Sequence, residues 1–417
     1  SGGSTQLAAD IAPRVGPDGS TGVRLNAATH SGGTAIHDED AKLGLLAVGL
    51  DWRSRDVRLS GDIGWQDHQL KRTRTNVTLG ANVTSVPAVP DNQSNYAQPW
   101  SYSNERDTFG TFRGEWDITP DMTAWAAAGA RRSEEANSLA NITVNNGSSG
   151  AATAYRFDNT REDSVNTGEL GVRGKLQTGS LGHEWVATAS LFDLDKKNAY
   201  AMDWRNTLAT NLYGPVSTNL PAFSGTTLYG GDLANPLRTG TTRLTSFAVG
   251  DTLTLLDKRL LLTAGVRHQK IDIGNYAYGT AALTSRYEQS RTSPLLAAVY
   301  KLDKSVSLYA NYVEGLSQGQ TAPSTATNRG EMLKPYVAKQ KEVGVKYDAG
   351  RVGGSLAFFS TDKPRAFLNS SNLFGTYGKD RHQGLELAVQ GEATQGLRLL
   401  GGLTWLDAQQ QATGSAT

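Results

Sequence analysis

Strict two-residue alternation of apolar and polar side chains recurs from one end of this chain to the other, and it leaves few architectures open. In residues 57–66, VRLSGDIGWQ, the side chains of Val57, Leu59, Gly61, Ile63 and Trp65 share one face, and Arg58, Ser60, Asp62, Gly64 and Gln66 share the other. Leu260, Leu262, Ala264 and Val266 oppose Arg259, Leu261, Thr263 and Gly265 in the same way. Val306, Leu308, Ala310 and Tyr312 form a third apolar row, and Leu385, Leu387 and Val389 a fourth. Successive side chains of a strand point to opposite faces, so each segment has one oily side and one wet side. Helical periodicity is scarce.

The connections are as ordered as the strands. Every second one is a tight turn, at 16–22, 54–56, 119–121, 178–182, 256–258, 302–304, 348–351 and 393–396, and all carry turn-forming residues. The alternate connections are long: 29–41, 70–105, 138–153, 203–240, 274–287, 316–336 and 361–381. Eight tight turns join sixteen strands. An even set of strands with short turns on one side and long loops on the other describes a transmembrane antiparallel β-barrel of the outer-membrane type. Trp52, Trp65, Trp116, Trp125, Tyr309, Tyr312, Tyr347 and Trp405 lie near the ends of strands, where interfacial girdles form. A soluble β-sandwich or propeller is the competing architecture, but it would not ration its loops so regularly.

Composition narrows the function classes. The longest apolar run, LGLLAVGL at 43–50, is far shorter than the roughly 18 residues a membrane helix needs. Lys and Arg number 41 against 40 Asp and Glu, so the net basic field that nucleic-acid binding uses is missing. Cysteine is absent, which removes disulfides, thiolate metal sites and cysteine nucleophiles. The six histidines are scattered without metal-ligand spacing, HDED at 37–40 reads as a solvated loop tip, and no G-x-S-x-G, H-E-x-x-H or P-loop pattern occurs. The expectation is a protein that is not an enzyme and holds no metal of its own.

Several stretches resemble the TonB-dependent outer-membrane receptors, and among them the siderophore receptors. LYANYVEGLSQGQTAP (308–323) followed by GEMLKPYVAKQKEVGVKYD (330–348) is similar to that family's strand, loop and strand. GKDRHQGLELAVQGEATQGLRLLGGLTWLDAQ (378–409) is similar to its next hairpin, and 107–131 and 22–33 match in style. The resemblance implies a barrel of 22 strands with a plugged lumen. It further implies a ferric siderophore as ligand, the TonB complex of the inner membrane as energy source acting through the plug, and lipid and lipopolysaccharide of the bacterial outer membrane as surroundings. Against that pattern, residues 1–417 read as one barrel domain without the plug or the last strands, ending in a loop-like tail at 407–417. Iron in such a receptor comes coordinated by the siderophore, so no cofactor is expected. A passive porin-like channel and an adhesin-type barrel are the alternative functions.

The long loops combine aromatic rings with hydrogen-bonding groups, which suits ligand binding. The candidate ligand-binding residues are Tyr96, Trp100, Tyr102, Tyr200, Trp204, Arg205, Tyr213 and Arg365. Arg205, Arg238 or Arg365 could offset the charge of an anionic chelate. One strand poses a separate question: in 339–347 Lys339 and Lys341 share a face with Val343, Val345 and Tyr347. With Tyr347 in the periplasmic girdle, Lys341 falls near the middle of the lipid band. Either both lysines snorkel upward or a bulge near Gln340 turns them inward.

Overall fold

The computed structural model describes residues 2–412. Its first eight long strands are β1 Ser4–Ile11, β2 Thr21–Gly33, β3 Asp40–Arg53, β4 Val57–Lys71, β5 Tyr102–Thr119, β6 Met122–Val144, β7 Ala151–Thr178 and β8 Leu181–Met202. Eight more follow: β9 Arg238–Leu255, β10 Leu260–Tyr276, β11 Leu283–Lys301, β12 Val306–Ser317, β13 Tyr336–Asp348, β14 Val352–Leu368, β15 Phe374–Thr394 and β16 Leu397–Ala412. Each pairs antiparallel with the next in chain order, giving one continuous sheet that forms the wall of a barrel. Among the described residues β1 pairs with β2 and β16 with β15, and no ladder joins β1 to β16. No described helix is long and apolar enough to cross a membrane.

All eight tight turns stand where the sequence places them. In two of them Gly350 (φ +80°) and Gly396 (φ +83°) occupy the left-handed region that an L-residue enters only at a cost. The long connections are shorter than expected, shrinking to 34–39, 145–150, 277–282 and 369–373, while 72–101, 203–237 and 318–335 stay long. The strands continue past the point where alternation fades: β7 has 28 residues, against the roughly 9–11 that cross a bilayer. Above the lipid both faces are wet, so the hydrophobic signal that marks a strand in the sequence disappears although the ladder goes on. The expected loop-like tail is corrected for the same reason, since β16 runs through 407–412; residues 413–417 lie outside the described residues.

Register turns the apolar rows into an outer wall. Leu59, Gly61 and Ile63 of β4 face Gly114, Phe112 and Gly110 of β5, so large side chains sit opposite small ones and the wall stays level. The row passes to Ala126, Ala128 and Ala130 of β6, then to Leu170 and Gly168 of β7. Leu170 is 63% exposed to the surroundings, as a lipid-facing residue is. Two of the expected girdle aromatics point the other way. Trp125 donates its indole N–H to Glu169 at 2.6 Å, and Tyr309 donates its hydroxyl to Glu342 at 2.7 Å, both on the inner wall because their positions are odd where the oily row is even.

The lysine strand is resolved in the same way. Its register with both neighbours is unbroken, so no bulge turns Lys339 or Lys341 inward. Lys341 lies level with Tyr312 and Ser360, one step above the apolar row of Val343, Ala310 and Phe358. The band therefore ends at Val343, and Lys341 stands at its upper edge instead of near its middle. Within the band the outer wall also carries a titratable pair, His183 Nδ1 lying 2.7 Å from Asp251 Oδ2 near the periplasmic turns.

Candidate functional site: the inner wall and the mouth of the barrel

Alternation that exposes oil outside necessarily collects charge inside. Near the tight turns, Arg58 binds Asp117 at 2.6 Å and Glu115 at 3.2 Å, and Arg113 binds Glu115 at 2.8 Å. The guanidiniums of Arg113 and Arg173 each lie 5.7 Å from the centre of the Trp125 ring. Such pairs need not be paid for by lipid burial, because they face an aqueous lumen.

Higher on the inner wall the residues change character. The ring of Tyr200 on β8 stacks on Phe157 of β7 at 6.3 Å and meets Tyr278 edge-on at 5.0 Å. Asn198 donates to the Tyr278 hydroxyl at 3.3 Å, Asn159 donates to Ala199 O at 3.0 Å, and Arg161 forks onto Asp163 in the rows just below. Lower on the inner wall, a cavity of about 390 Å³ is lined by Phe192, Leu244 and Ile271 together with Arg267 and Gln269. The 318–335 segment bends in above it, its Gly319 N–H donating to the hydroxyl of the buried Tyr287 at 3.3 Å. Flat apolar rings and amides thus gather at the mouth of the lumen with Arg161 just below them, a combination that can hold a compact polar chelate by stacking and hydrogen bonds.

The two longest loops go elsewhere. Ile142, Val144, Ala152, Ala199 and Ala201 are buried although they continue the outer wall, because loop 203–237 folds down over that face. Arg156 donates to Pro221 O at 2.7 Å, and Thr160 donates to Leu233 O at 2.8 Å. Asp203, 1% exposed, ties the loop together by accepting from the amide and hydroxyl of Ser224 at 2.9 and 2.6 Å. Burial pushes its carboxyl up, but the bonds from Ser224 and Asn206 more than offset this, and it titrates below the ordinary aspartate range. Gln98 locks loop 72–101 to the same cover by donating to Val216 O and accepting from Thr218 N, both at 2.8 Å.

A family model described as TonB dependent receptor-like, beta-barrel matches residues 47–417. The chain belongs to the TonB-dependent receptors. Barrels of this family are bacterial outer-membrane proteins, and the apolar outer wall fits that location. The ferrichrome receptor FcuA of Yersinia enterocolitica is 33% identical over 406 residues, covering 96% of this chain and 52% of that protein. The catecholate siderophore receptor Fiu of Escherichia coli K12 is 25% identical over 364 residues, covering 78% of this chain and 46% of that protein. The chain thus spans about half the length of these relatives. Among solved structures, BauA, the ferric preacinetobactin receptor of Acinetobacter baumannii, superposes with a TM-score of 0.84 at 27% identity, over 97% of this chain and 61% of that one.

Within this receptor barrel the eight residues singled out from the sequence fall into separate places. Tyr200 and Arg365 stand on the inner wall, Arg365 lying 3.6 Å from Asp380. Tyr96 packs against the buried Ile142, Val144, Ala152 and Leu212, donates its hydroxyl to Thr75 O, and has its pKa raised by burial. Tyr102 lies opposite Ser138 on the outward face, and Trp100 keeps its indole N–H buried. Tyr213 donates to Ala88 O at 3.0 Å, while Arg205 covers the ring of Trp204 at 4.8 Å. Arg238 is held by Asp195 at 3.0 Å. Phe157, Tyr278, Arg161, Arg267 and Gln269 were not foreseen. For those on strands the signal was available: counting by twos upward from an inner-wall residue such as Glu169 reaches Asp163, Arg161 and Phe157.

Proposed function

We propose that this chain forms the wall of an outer-membrane receptor that binds a ferric siderophore at its mouth and passes it inward, with energy relayed by TonB. The observation that carries the reading is the inner-wall cluster of Phe157, Tyr200 and Tyr278 with Asn159, Asn198 and Arg161 in the rows beside and below it. The names of the two relatives above, a ferrichrome receptor and a catecholate siderophore receptor, support it. Iron arrives with its coordination sphere filled by siderophore oxygens, so the wall supplies shape and second-sphere hydrogen bonds and no ligand to the metal. No enzymatic step belongs to this scheme.

Two further elements complete the proposal. The free edges of β1 and β16 are paired in the membrane, because each unpaired N–H or C=O left facing lipid costs several kcal/mol. The relay to TonB passes through a plug seated in the lumen, for which the belt of Arg58, Arg113, Arg173, Glu115 and Asp117 provides a charged socket. Outer-membrane lipid and lipopolysaccharide surround the outer wall. The test is growth of an iron-starved host on a panel of purified siderophores, with and without the gene. Growth on at least one should depend on the gene; growth independent of it on every siderophore, with gene-dependent conductance, would make the barrel a passive channel instead.

A further inference from the structure

Between β11 and β12 the wall divides above the lipid. β11 pairs with β10 up to Leu283 and β12 pairs with β13 up to Ser317, yet the ladder joining β11 to β12 stops at Leu295 and Val313. Residues 283–294 of β11 and 314–317 of β12 thus run on with no strand pairing between them. The last rung lies just above the level of Tyr312 and Lys341, at the upper edge of the apolar band. That placement has a physical cause. An open strand edge in lipid would leave N–H and C=O groups without partners, whereas water satisfies them as soon as the band ends. Pro294, the first residue beyond the rung, has no N–H to offer a neighbour, and residues 288–292 above it are exposed.

Each lip of this seam is fastened on its far side. At the top of the β10–β11 hairpin, Tyr278 meets the Tyr200 ring and accepts from Asn198. The 318–335 segment that follows β12 is held to the start of β15, where Asn328 donates to Phe374 O and accepts from Phe374 N, both at 2.9 Å. Across the seam Arg291 donates to Glu314 at 3.1 Å, and the Gly319 N–H donates to the Tyr287 hydroxyl at 3.3 Å. A cavity of about 470 Å³ lies beside these contacts, lined by Ser293 and Pro294 on one lip and by Glu314 and Gly315 on the other. Ser293 is 4% exposed and its hydroxyl has no partner, so opening the seam would give it water and offset part of what the broken contacts cost.

We propose that this seam is an expansion joint of the mouth, latched by Arg291–Glu314 and Tyr287–Gly319. Its opening moves the lip that carries Tyr200 and Tyr278 away from the lip that carries the 318–335 segment. The mouth then widens to admit or release a chelate, while the ladder within the lipid stays intact. An ion pair with one half-exposed partner and a single hydrogen bond are weak enough for a chelate to tip that balance. The joint rests on the uptake reading above and adds the step that gates it.

The chain contains no cysteine, so Arg291→Cys with Glu314→Cys in the full-length receptor offers a defined pair for a short, reducible bis-thiosulfonate cross-link. Stopped-flow quenching of tryptophan fluorescence, with a ferric trihydroxamate and a ferric tris-catecholate as probes, follows binding. Cross-linking should slow both association and release of the bound chelate severalfold and leave their ratio nearly unchanged, and reduction should restore both rates in the same sample. Rates that the cross-link does not alter overturn the joint. A second measurement needs no chelate: Arg291→Gln should raise hydrogen exchange severalfold in 283–294 and leave the 295–301 ladder unmoved. Unchanged exchange in 283–294, or an equal rise in the ladder, also overturns the joint. Binding of neither chelate by any form counts against the uptake reading, and hydrogen exchange then decides the joint by itself.

Discussion

The same strands live in two solvents, and the contrast between their lower and upper halves explains most of this molecule. In the lower half the outer wall is largely Leu, Ile, Ala and Gly in level rows, and charge gathers on the inner face, with the His183–Asp251 pair near the turns as an exception. In the upper half charge appears on the outer face as well: Arg243 binds Asp193 at 2.7 Å, Arg286 binds Asp272 at 2.6 Å and Lys270 binds Glu288 at 2.5 Å. Below, stability comes from matching side chains to lipid. Above, it comes from ion pairs between adjacent strands and from loops that cover the hairpins. A residue's worth is therefore set by its height along the strand more than by its identity.

The comparison can be broken most directly by moving one charge along a single strand. Leu170→Lys places an ammonium in the apolar band of β7 and should cost about 2–4 kcal/mol in denaturant unfolding of the full-length receptor in lipid. Ser164→Lys, six residues higher on the same face, should cost only about 1 kcal/mol, from the Arg132 hydrogen bond it removes and the like charge it sets opposite. Equal costs at the two positions would mean that the band is misplaced.

A smaller effect is expected where a loop, not the wall, is disturbed. Asp203→Ala should raise hydrogen exchange across 203–237 by an amount equivalent to about 1–3 kcal/mol of local opening, with the barrel transition unmoved. The pH dependence has a definite sign. Because the folded-state pKa of Asp203 is lowered, the loop's stabilisation is present above the ordinary aspartate value and is lost as pH falls through the folded one. Protection of 203–237 should therefore decline on acidification, and a rise would contradict the hydrogen-bond assignment.

Arg286→Ala removes a half-exposed ion pair and should cost less than about 1 kcal/mol, less still in high salt. Smallest of all should be Lys341→Leu, within about 0.5 kcal/mol, since the lysine stands at the edge of the band. A gain of 2 kcal/mol or more, on the scale of a midplane lysine, would return Lys341 to the middle of the lipid.

Legibility followed the same division. Where one face met lipid, as in 57–66 or 384–390, alternation was strict and the strands, turns and rows could be read directly. Where both faces met water, as in 138–144 or 361–368, the residue pattern read as loop although the strand continues. Tyr96 and Tyr213 illustrate the consequence: they read as ligand contacts because they are loop aromatics, but the structure spends them on packing loops 72–101 and 203–237 together. Tyr200 and Arg365 came out on the inner wall, and only the register shows it.

The sequence alone determined the solvent of the lower wall, the positions of the tight turns and the number of long strands, because lipid imposes a period-two code that composition cannot disguise. The tertiary structure decided the height of the band at Lys341, the extension of the hairpins above it, the outward fold of the longest loops and the set of side chains that meet at the mouth. Those depend on pairing register between segments far apart in the chain, and no local pattern of residues encodes which row a side chain will join.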